Sequence, residues 1–197
     1  PIIIIDSITT DSPVKTSLII QIANILKAAG LRPGIISRGY PDNHRPPTRV
    51  TISSHPHLTG EKSLLLTYHL RETCPVWIGY DRIETAKALL NAHKECNVLI
   101  CDDGLQDLRL QRDFEAIIVD TSVINSGNGL IMPAGPLRDS FARLKHTDAV
   151  ILAGHQRRIP DITDEIRTIH TRPQKEHFFN LSRPELTADA AGLAGKR

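Results

Sequence analysis

Lys15-Thr16 follows the apolar run Ile2–Ile5 and opens a stretch of helical periodicity. A strand, a turn and then Lys-Thr at a helix start is an arrangement that binds phosphate. Backbone N–H groups wrap the anion, the lysine offsets its charge and the hydroxyl holds Mg2+. A second apolar run, Val98–Cys101, ends in Asp102-Asp103. A carboxylate at the C-terminal edge of a buried strand, the form of a Walker B strand, suits Mg2+ or its water. Two adjacent acids in a continuing strand point to opposite faces, so at most one of them is expected to face the metal. Asp81 follows the strand-like Pro75–Gly79 and starts another helical stretch. A carboxylate there suits an N-cap, and that sheet edge is also where a general base is wanted. Arg38 and Arg82 share the location and suit anionic substrate groups.

The elements that must position these residues follow from periodicity. Ile2–Ile5 is β-branched and continuous, the pattern of a strand buried on both faces. Leu18, Ile22, Ile25 and Ala29 recur at helical spacing, Gly30 suits a left-handed helix end, and Ile35–Ser37 reads as the next strand of a βαβ unit. Further strands are expected at Arg49–Ser53, Pro75–Gly79, Val98–Cys101, Ala116–Val119 and Asp148–Leu152, and one at His177–Leu181. Helices are expected at Glu61–Thr73, Asp81–His93, Leu137–Leu144 and Asp161–Thr171, with loops at His55–Gly60 and Ser122–Pro136 and a frayed tail from Thr187. Alternating strands and helices give an α/β fold with a mostly parallel sheet flanked by helices. Ligands on such sheets sit beyond the C-terminal strand ends, where Lys15, Arg38, Asp81 and Asp102 fall.

Composition narrows the class. The 197 residues are 40% hydrophobic and 23% charged with a formal net charge of +2, a globular balance that argues against a nucleic-acid partner. No apolar run is long enough to cross a membrane, and no secretory signal is expected. Cys74, Cys96 and Cys101 are odd in number and scattered, which suits a reducing compartment and core positions. The nine histidines form no ligand pattern, and His55 and His57 read as solvated loop residues. The phosphate loop itself is unusual. From Thr9 to Val14 it holds no glycine, Pro13 removes an N–H donor, Asp11 sets a negative charge toward a polyphosphate, and Val14 stands where such turns favour φ > 0.

Several segments then act together: Gly30–Tyr40, Asp81-Arg82, Asp102-Asp103-Gly104-Leu105-Gln106, Arg112-Asp113, Gly127-Asn128-Gly129 and Pro133–Arg138. In this order and spacing the set resembles the tetraacyldisaccharide 4'-kinases of lipid A biosynthesis, over roughly residues 1 to 185. The resemblance implies a P-loop NTPase-like fold and transfer of the ATP γ-phosphate, with Mg2+, to the 4'-hydroxyl of a tetraacylated disaccharide 1-phosphate. It implies a peripheral, monomeric enzyme at the cytoplasmic face of the bacterial inner membrane, with the lipid A precursor and the membrane surface as partners. By the same resemblance Thr10, Asp11, Ser12, Pro13, Val14, Lys15 and Thr16 form the nucleotide-binding segment, and Lys15 and Asp81 are catalytic. Thr16, Asp102, Asp103 and Asp139 take the metal, and Arg38, Arg138 and Asn128 take the substrate. Residues 1–154 form the nucleotide-binding core and 155–197 a peripheral segment leading toward a further domain.

The departures from the family pattern set up a second expectation. Asp11-Ser12-Pro13-Val14 replaces a glycine-rich turn, Asp6-Ser7 replaces Gly-Asn, Asp107 replaces a histidine and Asp139 a glutamate. The family's amino-terminal membrane-associating helix and its smaller carboxy-terminal domain, which brings the histidine partner of Asp81, are expected outside these residues. The glycine-free loop also suits a kinase-like binding module without turnover. A GTPase-like switch is the third reading, and the sequence has no Asn-Lys-x-Asp guanine-reading motif.

Overall fold

The computed structural model describes residues 1–10, 12, 14–39, 46–70, 73–121, 127–154 and 166–171, and the backbone of 177–179 and 187–189. Asp11, Pro13 and the first part of the expected helix at 161–171 lie outside the described residues.

The strands are β1 (Ile2–Ser7), β2 (Pro33–Ser37), β3 (Thr48–Val50), β4 (Val76–Ile78), β5 (Val98–Asp102), β6 (Phe114–Asp120), β7 (Ala149–Ala153) and β8 (Thr168–Thr171). They form one sheet in the order β3-β4-β2-β5-β1-β6-β7-β8. Every pairing is parallel except that of the edge strand β3 with β4. β2, β5 and β7 are buried at every position, as continuous apolar runs covered on both faces require. β5 lies between β1 and β2, so the strands of the expected βαβ unit are not neighbours. The register Ile5↔Asp102 sets the acid-ended β5 directly beside the end of β1. This adjacency assembles the site.

The helices are α1 (Val14–Ala28), α2 (Pro56–Thr59), α3 (Glu61–Leu70) and α4 (Arg82–Ala92), with a 3-10 turn at Phe141–His146. α1 ends with Gly30 at φ +80, and the Leu31 N–H closes on Leu26 O at 3.0 Å, a left-handed cap. The buried stripe of α1 is Lys15, Leu18, Ile19 and Ala23, whereas Ile25 is 66% exposed. The stripe expected through Ile22, Ile25 and Ala29 is therefore rotated. The helix is apolar on most sides, and contact with the sheet selects the face. That rotation carries Lys15 inward.

Other local departures have plain causes. The strand expected at 49–53 stops at Val50, because Thr51–Ser54 closes a turn with the Ser54 N–H on Thr51 O at 3.0 Å. Residues 56–59 form one helical turn rather than a loop, with Pro56 in the first turn and His55 accepting the His57 N–H. The helix expected at 137–144 is the 3-10 turn from 141, since Leu137 is held in bridges to Thr9 and Ile131. Residues 168–171 form β8 rather than a helix end, a short strand half-exposed at the sheet edge. β9 (His177–Phe179) pairs antiparallel with β10 (Thr187–Asp189), so the tail is paired where fraying is expected. Cys74 and Cys101 are buried, with burial pushing both thiols up to about 12, as inert core residues require.

Candidate active site

Lys15 is 7% exposed and its ammonium is ringed by acids. Nζ lies 3.0 Å from Asp102 Oδ1, 3.2 Å from Asp103 Oδ1 and 3.6 Å from Asp6 Oδ1. The two strand-end acids therefore face one cation, against the expectation that at most one faces the site. The reason is local. β5 ends at Asp102, and Asp103 turns into the left-handed region at φ +62, which folds its carboxylate back. Among the described residues it is the sole non-glycine residue at positive φ, and aspartate is one of the few types that tolerates it. Strain of this kind collects at functional sites.

Two arginines complete the cluster. Arg138 Nη1 bonds Asp103 Oδ1 and lies 3.2 Å from Asp6 Oδ1. Arg82, 7% exposed at the start of α4, donates to the Asp103 carbonyl, so it holds the acid's backbone rather than meeting substrate as its position suggested. Ser37 Oγ donates to Asp102 Oδ2 at 3.1 Å. Asp6 is fully buried and accepts the Ser7 N–H at 2.7 Å and the Leu105 N–H at 2.9 Å.

The charges respond to this packing. Burial tends to lower the Lys15 pKa, but Asp102, Asp6 and Asp103 together outweigh it and hold the ammonium above its usual value. Burial pushes Asp103 up, but Lys15 and Arg138 override it and keep its carboxyl well below the usual range. For Asp6 burial wins over Lys15, and its carboxyl is raised.

Above the cluster opens a cavity of about 450 Å3, within the range of small-ligand sites. Of the residues expected to bind ligand, Thr10, Ser12, Lys15, Arg38, Asp102, Asp103 and Arg138 line it. Gly60–Ser63, where α3 begins, forms the opposite wall. Val14, Thr16, Asp81, Asn128 and Asp139 do not line it. Val14 is simply the first residue of α1, so the positive φ expected there is absent. Asp81 caps α4, accepting the Ile83 and Glu84 N–H groups at 2.9 and 3.1 Å, and its other oxygen takes Arg109 Nη1 at 3.0 Å. The Glu84 N–H bond first, then Arg109 and Ile83, keep its carboxyl below the usual range. Asn128 accepts the Leu130 N–H and donates to Ala134 O, fixing its own loop. Asp139 accepts the Ser140 N–H at 2.7 Å.

Sequence reasoning missed Asp6, Ser7, Thr9, Ser37 and the start of α3. Asp6 carries the same signal as Asp102, an acid ending an apolar run, and was readable on that ground. The others have no local signal. The loop at 127–138 also belongs to the site. The Thr10 N–H donates to Pro136 O at 2.9 Å and the Arg138 N–H to Ile8 O at 2.7 Å, so this loop is strapped to the phosphate loop.

A parallel sheet whose central strand leads into Lys-Thr at a helix start, beside a strand ending in acids, defines a P-loop NTPase-like fold. A family model described as tetraacyldisaccharide-1-P 4'-kinase (LpxK) matches residues 1–195, and the chain belongs to that family. It is 99% identical over 197 residues to a tetraacyldisaccharide 4'-kinase of Nitrosomonas europaea, and 75% identical over 197 residues to that of Nitrosomonas eutropha. Each match takes in all of this chain and 50% of the relative, so the chain spans about half their length. The same-named protein of Nitrosococcus oceani is 43% identical over 155 residues, 78% of this chain and 45% of that protein. Among solved structures, LpxK from Aquifex aeolicus in complex with ATP superposes with a TM-score of 0.73 at 24% identity, over 91% of this chain and 55% of that one. That likeness bears on the fold.

Proposed function

We propose that this chain carries the nucleotide-binding and phosphoryl-transfer part of an ATP-dependent kinase. Its acceptor is the 4'-hydroxyl of a tetraacylated disaccharide 1-phosphate, a lipid A precursor. The observation that carries the reading is the buried Lys15 ammonium facing Asp102 and Asp103 on the floor of the cavity, in a chain of this family.

Phosphoryl transfer asks mainly for positioning and charge stabilisation. Lys15 and Arg138 offset charge on the nucleotide phosphates once these replace the acids as partners. Ser12 Oγ is buried with no hydrogen-bond partner among the described residues and lines the cavity, a donor in wait for a phosphate oxygen. Mg2+ would offset charge on the β- and γ-phosphates. The donor set suits it. Asp102 Oδ1 is buried and, among the described residues, meets Lys15 alone, at 3.0 Å, so it retains acceptor capacity. No group of three or more His, Cys, Asp or Glu among the described residues would hold a metal alone. This agrees with an ion that keeps waters and substrate phosphates as ligands. Asp102 and Asp103 would hold it; Thr16 and Asp139 stand off the cavity wall and carry less of the reading. Asp81, ionised and below the usual range, serves as an orienting acceptor for the sugar hydroxyl rather than a base poised near neutrality.

We also infer peripheral contact with the cytoplasmic face of the inner membrane. No described helix is long and apolar enough to cross a membrane. Leu130, Ile131 and Met132 are 51%, 45% and 60% exposed on the loop strapped to the phosphate loop, an apolar tip beside the site. Leu130→Ser with Met132→Ser is expected to weaken sedimentation with anionic lipid vesicles, and unchanged sedimentation refutes the role of this tip.

Calorimetric titration with Mg-ATP tests the nucleotide reading. Sub-millimolar binding that disappears in Lys15→Ala and weakens in Ser12→Ala supports it; no detectable binding to the wild-type chain overturns it. A binding module without turnover is favoured by the ring of three acids that already compensates Lys15, and binding without ADP release under acceptor would support that alternative.

A further inference from the structure

We propose that Tyr80 is a positioning residue that holds Arg38 as the receptor for the phosphate the acceptor already carries, and that a small cavity beside Arg38 takes the adjoining sugar. This rests on the acceptor reading above. The cations of the main site are otherwise committed: Lys15 to three acids, Arg138 to Asp103 and Asp6, Arg82 to Asp103. Arg38 has no carboxylate partner among the described residues. Its guanidinium lies 5.4 Å from the centroid of the Tyr80 ring, at cation–π distance.

The sheet brings the two residues together. β2 and β4 pair in parallel with Ser37 opposite Ile78, so the residues that follow them, Arg38 and Gly79-Tyr80, emerge side by side. Gly39 then turns at φ +64, and a Cβ there would lie 2.9 Å from Ile78. The chain therefore hugs Ile78 as it leaves, with Arg38 above Tyr80. A free arginine loses rotamer freedom when it binds an anion, whereas a stacked one has already lost part of it.

Arg38 lines two cavities. One is the nucleotide cavity; the other is a cavity of about 180 Å3 walled by Thr48, Ser54, His55, Leu58 and Tyr80. The smaller volume falls below that of sites enclosing a whole ligand, so it suits one part of a larger molecule. Its wall pairs hydroxyls and an imidazole with aliphatic carbon, which matches the polar edge and apolar face of a sugar ring. An acceptor seated there has its phosphate at Arg38 and its remainder toward the nucleotide.

The test uses the 197-residue chain and two soluble probes, the acyl-free glucosamine disaccharide 1-phosphate and the same disaccharide without phosphate. Calorimetry is expected to give at least about ten-fold tighter binding of the phosphorylated probe to wild type, a preference erased in Arg38→Ala. Tyr80→Ala is expected to cut the preference for the phosphorylated probe about two- to five-fold, beyond any loss common to both probes from the missing wall, while Tyr80→Phe keeps wild-type affinity because the ring remains. A merely structural Tyr80 would weaken both probes alike, and that result overturns the proposal. So do a Tyr80→Ala chain identical to wild type, an Arg38→Ala chain that loses Mg-ATP as much as probe, and a wild type that binds neither probe. A parallel Mg-ATP titration separates the failures. Probe discrimination without nucleotide binding sinks the kinase reading alone, and the reverse sinks the subsite alone.

Discussion

Replacing Lys15 with methionine keeps the volume of the side chain and removes its charge. The lysine side chain is 9% exposed, and the acids it meets are 0% (Asp6), 7% (Asp102) and 23% (Asp103) exposed, so solvent screens the cluster weakly. Without the ammonium, the cations left in ion pairs with these carboxylates among the described residues are Arg138 and Arg82. Stranding buried charge in this way costs about 3–5 kcal/mol, a large part of the roughly 5–15 kcal/mol of a typical domain. In urea that is a midpoint shift of about 1–2.5 M, for a slope of about 2–3 kcal/mol/M. The sign with pH is fixed. The Lys15 pKa is raised, so its contribution is complete below the ordinary lysine value and lost only as pH rises through the folded one. At pH 8 the whole penalty of Lys15→Met is present. It shrinks as pH falls and the unpaired carboxyls take up protons. Adding Asp6→Asn to Lys15→Met recovers part of the loss by removing one stranded charge. Equilibrium urea unfolding at two pH values reads all of this. A loss under about 0.5 kcal/mol, equal at both pH values, is what a solvated lysine gives and would refute the caged-ammonium account.

Three further outcomes follow from the same geometry. Asp103→Asn should flatten the acid limb of stability, because a carboxyl held below its usual range stabilises above the ordinary value and stops doing so as pH falls through the folded one; a titration of the urea midpoint against pH that is unchanged from wild type contradicts this. Glu115 is 3% exposed and meets Arg112 and Arg143 at 2.6 Å each; Glu115→Ala should cost about 3–5 kcal/mol, read as a fall in thermal midpoint, with Glu115→Gln milder. A Cβ at Gly135 would strike Asn128 Oδ1 and the Leu130 carbonyl; Gly135→Ala should cost about 1–3 kcal/mol and weaken Mg-ATP binding through the strap to Thr10, and wild-type stability and affinity would show that the loop yields freely.

The strands most legible in sequence are those with short apolar runs: β1, β2, β4, β5, β6 and β7 announce themselves because they lie inside the sheet with most of their residues covered. Asp81 was legible as a cap for the same local reason, since the N–H groups it satisfies lie two and three residues on. β9 falls within the strand expected at His177–Leu181, but β8 and β10 were not legible, because edge and peripheral strands are specified by the surface they join. Arg82 read as a substrate arginine from its position near a strand end and Arg138 from the family resemblance, yet both are engaged by Asp103, whose turn at positive φ leaves no sequence mark.

The sequence by itself determined the class of chemistry. Residue types and their order along the chain, Lys-Thr after one apolar run and Asp-Asp after another, define which elements can meet phosphate and metal. Tertiary structure alone decided which of those groups meet. The insertion of β5 beside β1 puts Asp102 level with Ile5, the chosen face of α1 turns Lys15 inward, and burial then sets the charges of Lys15, Asp6 and Asp103 against one another. Such pairings depend on distances between residues far apart in the chain, in a medium that screens them little, and no local pattern encodes them.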